Sequence, residues 1–458
     1  MHARQLISAN GSAVHETAVH KFQSHLRGVL VSPGDDGYDE GRRLWNGCFD
    51  KRPDLVARCA HPEDVAQTIE FARDHDLMTA VRAGGHSLAG KSVSDGGLTI
   101  DLSPMKRVRV DPKRRLAYAE AGLLLGEFDQ ATVLHGLGTT MGTAPDTGMA
   151  GLVLGGGLGW LMGRNGLACD NLRAVEAVTA DGRTIRASAE ENSDLFWGVR
   201  GAGANLAVVT SFEFQLHPLG PVLGGTISYP MTRAAHAMRL LQDMQDSTPD
   251  ELQIIASGGL LAGVPAFSVT LCWSGDLEAG EKALQPLRAF TPIIRDSIAP
   301  IPYQAMQALL AMPAGLKSYW RSGFLHELDT GTIESIVAQM ERAPSPSSGF
   351  FVQPMHGAVC RLKPADTAFA HRASGFDFAC MSVWQEPAMA EPSMSWVRAF
   401  WDAIEPKCAG VYVNTMGEEG ESRVRSAYGA NYDRLVALKN KYDPTNFFRM
   451  NQNIKPTV

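Results

Sequence analysis

Nine glycines fall between residues 142 and 166, and no other feature limits so tightly what this chain can fold into. Each glycine inside a helix costs about 1 kcal/mol relative to alanine. A backbone stripped of Cβ atoms at that density is built for something to lie against it. Close packing of a helix on a sheet accounts for two or three such residues, but not for the whole cluster. A second glycine loop stands earlier, in Thr79-Ala-Val-Arg-Ala-Gly-Gly-His-Ser-Leu-Ala-Gly90. There a short apolar strand runs into a turn with His86 at its tip. Gly84, Gly85 and Gly90 let the backbone fold tightly and turn its N–H groups toward a ligand. For this loop taken alone, a surface turn with an incidental histidine is the alternative.

The chain has 458 residues, more than the roughly 250–300 at which a single core stops growing, so two domains or lobes are expected. Hydrophobic residues make up 45% and charged residues 20%, the balance of an ordinary soluble globular protein. A formal net charge of −7 argues against a nucleic-acid partner, because binding a phosphate backbone depends on clustered Lys and Arg. The basic run Lys106-Arg-Val-Arg-Val-Asp-Pro-Lys-Arg-Arg115 reads as strand ends and a turn with solvated charges. The seven cysteines are scattered, odd in number and free of any C-x-x-C pair. That pattern suits neither a disulfide framework nor zinc, and points to a reducing compartment. No apolar signal segment opens the chain and no apolar run reaches about 18 residues, so a cytoplasmic protein without a membrane partner is expected.

Residues 1–35 are polar and read as only partly ordered, and residues 38–47 as a short helix and turn. A regular pattern follows. Residues 55–58 form a strand and residues 62–76 a helix, with Pro62 in its first turn, Glu63 and Asp64 at its positive end, and Val65, Ile69 and Ala72 on one face. Residues 79–81 are the next strand, which places the His86 loop after a β-α-β unit, where such sheets offer strand ends to ligands. Strands at 98–102 and 116–120 and an amphipathic helix at 124–135 continue the pattern. Residues 170–186 form a hairpin turned at Asp181-Gly182. Residues 192–210 give a short helix, a glycine turn and an apolar strand.

A dinucleotide fingerprint needs G-x-G-x-x-G between a strand and a helix. Gly155-x-Gly157-x-x-Trp160 and Gly201-x-Gly203-x-x-Leu206 both lack the third glycine, and no phosphate-binding G-x-x-x-x-G-K-[ST] occurs. A large ligand held by several separated loops fits better.

The ordered series Arg82-x-Gly84-Gly85-His86-Ser87, Gly155-Gly156-Gly157-x-Gly159, Asp170-Asn171, Asp194-Leu195-Phe196-Trp197 and Arg200-Gly201-Ala202-Gly203 resembles the covalent flavoprotein oxidases of the vanillyl-alcohol-oxidase superfamily. Within it, the match is to the berberine-bridge-enzyme-like branch. Tyr442-Asp-Pro-Thr-Asn-Phe-Phe-Arg-Met-Asn-Gln-Asn-Ile454 resembles the closing signature of that branch, and Ala427-Tyr-Gly-Ala-Asn-Tyr432 the segment that carries its base.

The resemblance implies an α+β fold: a two-subdomain FAD-binding domain from residues 1–219 and 409–458, and a substrate domain, 220–408, with an antiparallel sheet covered by helices. It implies FAD joined through the ring of His86 to the flavin 8α-methyl. Arg82, Ala83, Gly84, Gly85, Ser87 and Gly90 would cradle the diphosphate. Pro145, Asp146, Thr147, Gly148, Gly151 and Gly156 would line the flavin, Val208 and Val209 the adenine side, and Asn451 and Asn453 would close over the cofactor. Many members add a second link through a cysteine, but Ala144 holds that position here and Cys169 lies beyond the glycine run. A single covalent bond, through His86 only, is therefore expected. Tyr432 is the expected base. Tyr428, four residues earlier, shares its face if the segment is helical. Met149 takes the place of a residue that gates oxygen, and its thioether there would turn an oxidase into a dehydrogenase.

The middle region alternates as half-buried strands at 226–229, 252–257 and 266–273, with helices at 233–246 and 277–290. Segments 317–322, 353–357 and 381–384 are candidates to face the active site. Within them, Tyr319, Trp320, His356 and Trp384 suit a core role as well as substrate contact, whereas His371 reads as structural. No metal-ligand spacing occurs. The expected activity is that of an FAD-dependent oxidase taking hydride from a small alcohol, amine, sugar or natural-product substrate, with O2 as acceptor. A dehydrogenase using another acceptor, a nicotinamide-dependent reductase and a flavin-binding protein without turnover are the alternatives. The substrate lobe carries no motif that specifies the substrate or an oligomeric state.

Overall fold

The helix Pro62–Asp74 shows how local chemistry sets the first layer. Asp64 Oδ2 accepts hydrogen bonds from the backbone N–H groups of Ala60 at 2.8 Å and His61 at 3.2 Å, while Arg27 and Gly28 donate their N–H groups to the same carboxylate. The helix start is thereby capped and tied to the preceding segment. Val65, Ile69 and Ala72 are fully buried in a core shared with Ala57, Ile100 and Val178. The computed structural model of the chain describes residues 6–8, 10–261 and 263–458.

Three main sheets build the molecule. The first runs in the order Val29–Val31, Leu55–Arg58, Leu98–Asp101, Thr79–Arg82. Its last two pairings are parallel, as the β-α-β reading requires. The polar opening segment proves more regular than expected, with a helix at Glu16–His25 and the edge strand Val29–Val31. That helix buries only Phe22, stacked 4.3 Å from Phe71, so its periodicity is faint in the sequence. The second sheet orders Val108–Asp111, Leu116–Glu120, Ala207–Gln215, Leu172–Thr179 and Thr184–Ser188, all antiparallel.

The third sheet has eight strands, its long ones lying in the order Val222–Pro230, Val264–Trp273, Leu252–Leu261, Ser348–Met355, Gly375–Trp384, Lys317–Leu325. Strand alternation divides its side chains between two tasks. Phe350, Val352, Phe376, Phe378 and Cys380 point into a core closed by the helices Ala234–Met244, Thr330–Met340 and Ala390–Ile404. On the opposite face, Val222, Ile255 and Cys272 meet Trp160 and Tyr303 in a smaller core that joins this sheet to the rest of the protein. The helix expected at 277–290 is two helices, Leu277–Ala283 and Gln285–Ala289. Pro286 is the cause, since its ring and missing N–H cannot continue the first helix.

After the third sheet the chain returns. Val411, Tyr412, Tyr428, Leu435, Phe448 and Ile454 all join the core of the first two sheets. Among the described residues, no helix is long and apolar enough to cross a membrane.

Candidate active site

A cavity of about 460 Å³ opens where the two glycine stretches, the third sheet and the returning C-terminal segment meet. The glycine stretches touch back to back. A Cβ on Gly84 would lie 2.4 Å from the Cα of Gly148, and one on Gly148 would lie 2.4 Å from the N of Gly84. No side chain fits there, so the two loops pack backbone to backbone at the cavity edge.

His86 lines the cavity. Its ring stacks on Trp45, with centroids 5.1 Å apart, and its Nε2 lies 3.3 Å from Asp146 Oδ2. The backbone N–H of Trp45 donates to Gly85 O at 2.9 Å and fixes the loop. Partial burial works to raise the Asp146 pKa, but the bond and charge of His86 outweigh it and hold the carboxyl below its usual range.

Ala83, Gly84, Gly85, Ser87, Thr147, Gly148, Gly151, Val208, Val209 and Asn451 also line the cavity, as does Ala144 at the position where a cysteine was sought. Arg82, Gly90, Pro145, Gly156 and Asn453 stand behind this wall. Arg82 donates to Asp101 Oδ1 at 3.0 Å beneath the loop, and the Phe49 ring covers the α-carbon of Gly90. Cys169 is fully buried away from the cavity. Met149 is fully buried as well, belongs to the core and is not among the residues that line the cavity.

The tyrosines depart furthest from expectation. The segment is helical from Glu421 to Tyr428 and again from Tyr432 to Tyr442, but Gly429 lies between with φ +49° and breaks the run. The two rings therefore do not share one helical face. Tyr432 packs under Arg425, 4.1 Å from its guanidinium carbon, and stays outside the cavity. Tyr428 does line the cavity, yet its hydroxyl accepts a hydrogen bond from Asn205 Nδ2 at 3.1 Å and burial pushes its pKa far up. A third tyrosine, Tyr412, accepts hydrogen bonds from the Gly157 N–H at 3.0 Å and Asn414 Nδ2 at 2.8 Å, and burial likewise keeps it protonated. Burial thus keeps Tyr428 and Tyr412 protonated, and Tyr432 is not among the lining residues.

Asp377, on Gly375–Trp384, lines the cavity from above. It is 2% exposed, its Oδ1 has no hydrogen-bond partner, and burial lifts its pKa to about 7. Gln353, its register partner on the neighbouring strand, lines the same roof with Trp320, Phe351, Leu310 and Met312. Sequence reasoning named Trp320 and the strand containing Gln353 but passed over Asp377. The available signal was a lone carboxylate between Phe376 and Phe378. Of the other candidates, Tyr319, His356 and Trp384 do not reach the cavity. His371 is held by Phe324 and by the carbonyls of Ser426 and Ala427. Among the described residues, no cluster of His, Cys, Asp and Glu could hold a metal ion.

The cavity wall at Asn205 and Phe448 is braced by a buried cation. Lys439 Nζ donates to Asn205 O and Phe448 O, both at 2.9 Å, and to Asp443 Oδ2 at 2.6 Å. Asp443 in turn accepts the N–H groups of Phe447 and Phe448. Asn205 and Phe448 both line the cavity.

Residues 53–188 match the FAD binding domain family, and residues 411–455 the berberine and berberine-like family. An FAD-linked oxidoreductase of Dictyostelium discoideum is 32% identical over 445 residues, spanning 96% of this chain and 97% of the relative. The (R)-6-hydroxynicotine oxidase of Paenarthrobacter nicotinovorans is 31% identical over 451 residues, spanning 94% and 97%. The crystal structure of 6-hydroxy-D-nicotine oxidase from Arthrobacter nicotinovorans has the same fold, with a TM-score of 0.86 at 29% identity, covering 94% of this chain and 98% of that one. Fold and site together define an FAD-dependent oxidoreductase. The chain belongs to the berberine-bridge-like family of FAD-linked oxidoreductases.

Proposed function

We propose that this protein is an oxidase of small molecules whose FAD is joined covalently through His86 alone, with Asp377 as the acceptor of the substrate proton. The observation that carries the reaction is the Asp377 carboxyl, buried in the cavity roof with one oxygen unpartnered. A base works best when its pKa lies near the working pH, and burial brings Asp377 to about 7.

The cavity fits a flavin. Backbone from two separated glycine loops, packed together at Gly84 and Gly148, forms part of its wall beside the side chains of His86, Ser87, Asp146 and Thr147. Bound FAD supplies the hydride acceptor. Asp146 at Nε2 of His86 sets the tautomer that leaves Nδ1 with its lone pair free for attachment. Ala144 offers no thiol for a second link. Trp320, Phe351, Leu310 and Met312 exclude water from above and suit a substrate with an apolar face. Asp377 would then receive the proton of an O–H or N–H on that substrate while hydride leaves the adjacent carbon. With Met149 in the core rather than in the cavity, its thioether does not obstruct O2, which supports reoxidation by oxygen.

Anaerobic bleaching of the bound flavin by a panel of alcohols, amines and sugars, followed by admission of air, tests the reaction. Rapid recovery of colour in air identifies an oxidase, whereas a flavin that stays reduced assigns a dehydrogenase. Acid-precipitated protein retains its yellow colour if the link is covalent, and His86→Ala should release it. Colour that survives in His86→Ala would overturn the single attachment.

A further inference from the structure

A second buried carboxyl, away from the cavity, sits where the third sheet meets the rest of the molecule. Asp129 lies on the helix Leu125–Val133 and is 1% exposed. Its Oδ2 accepts a hydrogen bond from Gln307 Nε2 at 2.8 Å. Gln307 lies on the helix Tyr303–Ala308 and is equally buried. The remaining oxygens, Asp129 Oδ1 and Gln307 Oε1, are both buried without a donor.

Two orphaned acceptors on an amide and a carboxyl already joined by one hydrogen bond are costly, unless one of them carries a proton. A neutral carboxyl resolves this. An Oδ1–H would donate to Gln307 Oε1 while Gln307 Nε2–H donates to Oδ2, and a closed acid–amide pair would satisfy both groups. We propose that Asp129 is protonated in the folded enzyme, and that its acid–amide pair with Gln307 positions one wall of the substrate cavity. The helix bearing Gln307 runs directly on to Leu310 and Met312, which line that cavity. Asp129 thus acts through Gln307 and touches no reactant.

The surroundings favour the neutral form. Tyr303 and Cys272 face the pair from the neighbouring helix and strand, and burial raises both. On the helix of Asp129 itself, Glu127 is engaged 2.5 Å from Lys106. The strand Val108–Asp111 packed beside it contributes Arg109, which lies over the Tyr118 ring, and Asp111, which accepts the N–H of Arg114. None of these cations bonds to Asp129, and burial brings it to about 7. The proposal rests on the cavity being the substrate site, but not on the role of Asp377.

Hydrogen exchange of residues 303–312 in the flavin-loaded enzyme tests it, with rates corrected for their intrinsic pH dependence. No substrate is needed, so failure here is distinct from failure of the proposed reaction. In the parent protein, protection of this segment should fall between pH 6 and 8 by roughly tenfold, the scale of one lost hydrogen-bonded pair. Asp129→Asn keeps a donor facing Gln307 Oε1 at every pH and should hold the segment protected throughout. Gln307→Leu should exchange quickly at both pH values. Equal protection of the parent protein at pH 6 and 8, or the same pH profile in Asp129→Asn, would overturn the proposal.

Discussion

The backbones of Gly84 and Gly148 meet so closely that a methyl group on either would lie 2.4 Å from the other. Both are backbone contacts, so neither can yield by rotating a side chain. Gly148→Ala should therefore cost about 1–3 kcal/mol, as overpacking does, and part the two loops proposed to hold the flavin. A lower urea midpoint together with a reduced ratio of flavin to protein absorbance is the expected result.

Removing the charge of Asp377 should separate binding from chemistry. Asp377→Asn keeps the shape of the roof, so flavin content stays at the parent level, while flavin reduction slows by about 10²–10⁴, the range for loss of a general base. In the parent enzyme the rate of reduction should rise as pH passes through about 7, because only the ionised carboxyl accepts a proton. Stability moves the other way. The folded-state pKa lies above the unfolded value of about 3.9, so the folded protein loses stability as pH climbs from there toward 7. Asp377→Asn should escape its share of that loss while Asp129 keeps its own, so thermal unfolding at pH 5 and 8 should show a smaller drop than in the parent protein.

Tyr432→Phe removes a hydroxyl that lies outside the cavity under Arg425. Stopped-flow measurement of flavin reduction should find its rate unchanged. A large loss would return the base to Tyr432.

Lys439→Met should be among the most damaging substitutions in the returning segment. It leaves the fully buried Asp443 without its cation and frees the Asn205 and Phe448 carbonyls. Breaking a buried pair in this way costs about 3–5 kcal/mol, read as a lowered thermal midpoint. Because those carbonyls belong to residues of the cavity wall, release of FAD should precede global unfolding.

Much of the fold class was legible because it rests on local rules. Pro62 at a helix start, Val65-Ile69-Ala72 at helical spacing, and the Asp181-Gly182 turn each act over a few residues. The glycine loops were legible because a missing Cβ has few other uses. Long-range geometry was not. Asp129 and Gln307 are 178 positions apart, and neither stands out in its own segment. The shared face of Tyr428 and Tyr432 was misjudged because the spacing of four assumes an unbroken helix, and Gly429 interrupts it. Asp377 was readable in principle, since a carboxylate between two phenylalanines of a strand must face away from the core they fill.

The alternation along Gly375–Trp384 has a consequence for descent. Phe376, Phe378 and Cys380 hold the fold together on one face, while Asp377, between the two phenylalanines, lines the cavity on the other. Two sets of side chains share one backbone yet answer to separate selective pressures. Substitution of Asp377 can alter the chemistry of the cavity roof while the intervening residues keep the sheet intact, so the chemistry of that roof can change without the scaffold ceasing to fold.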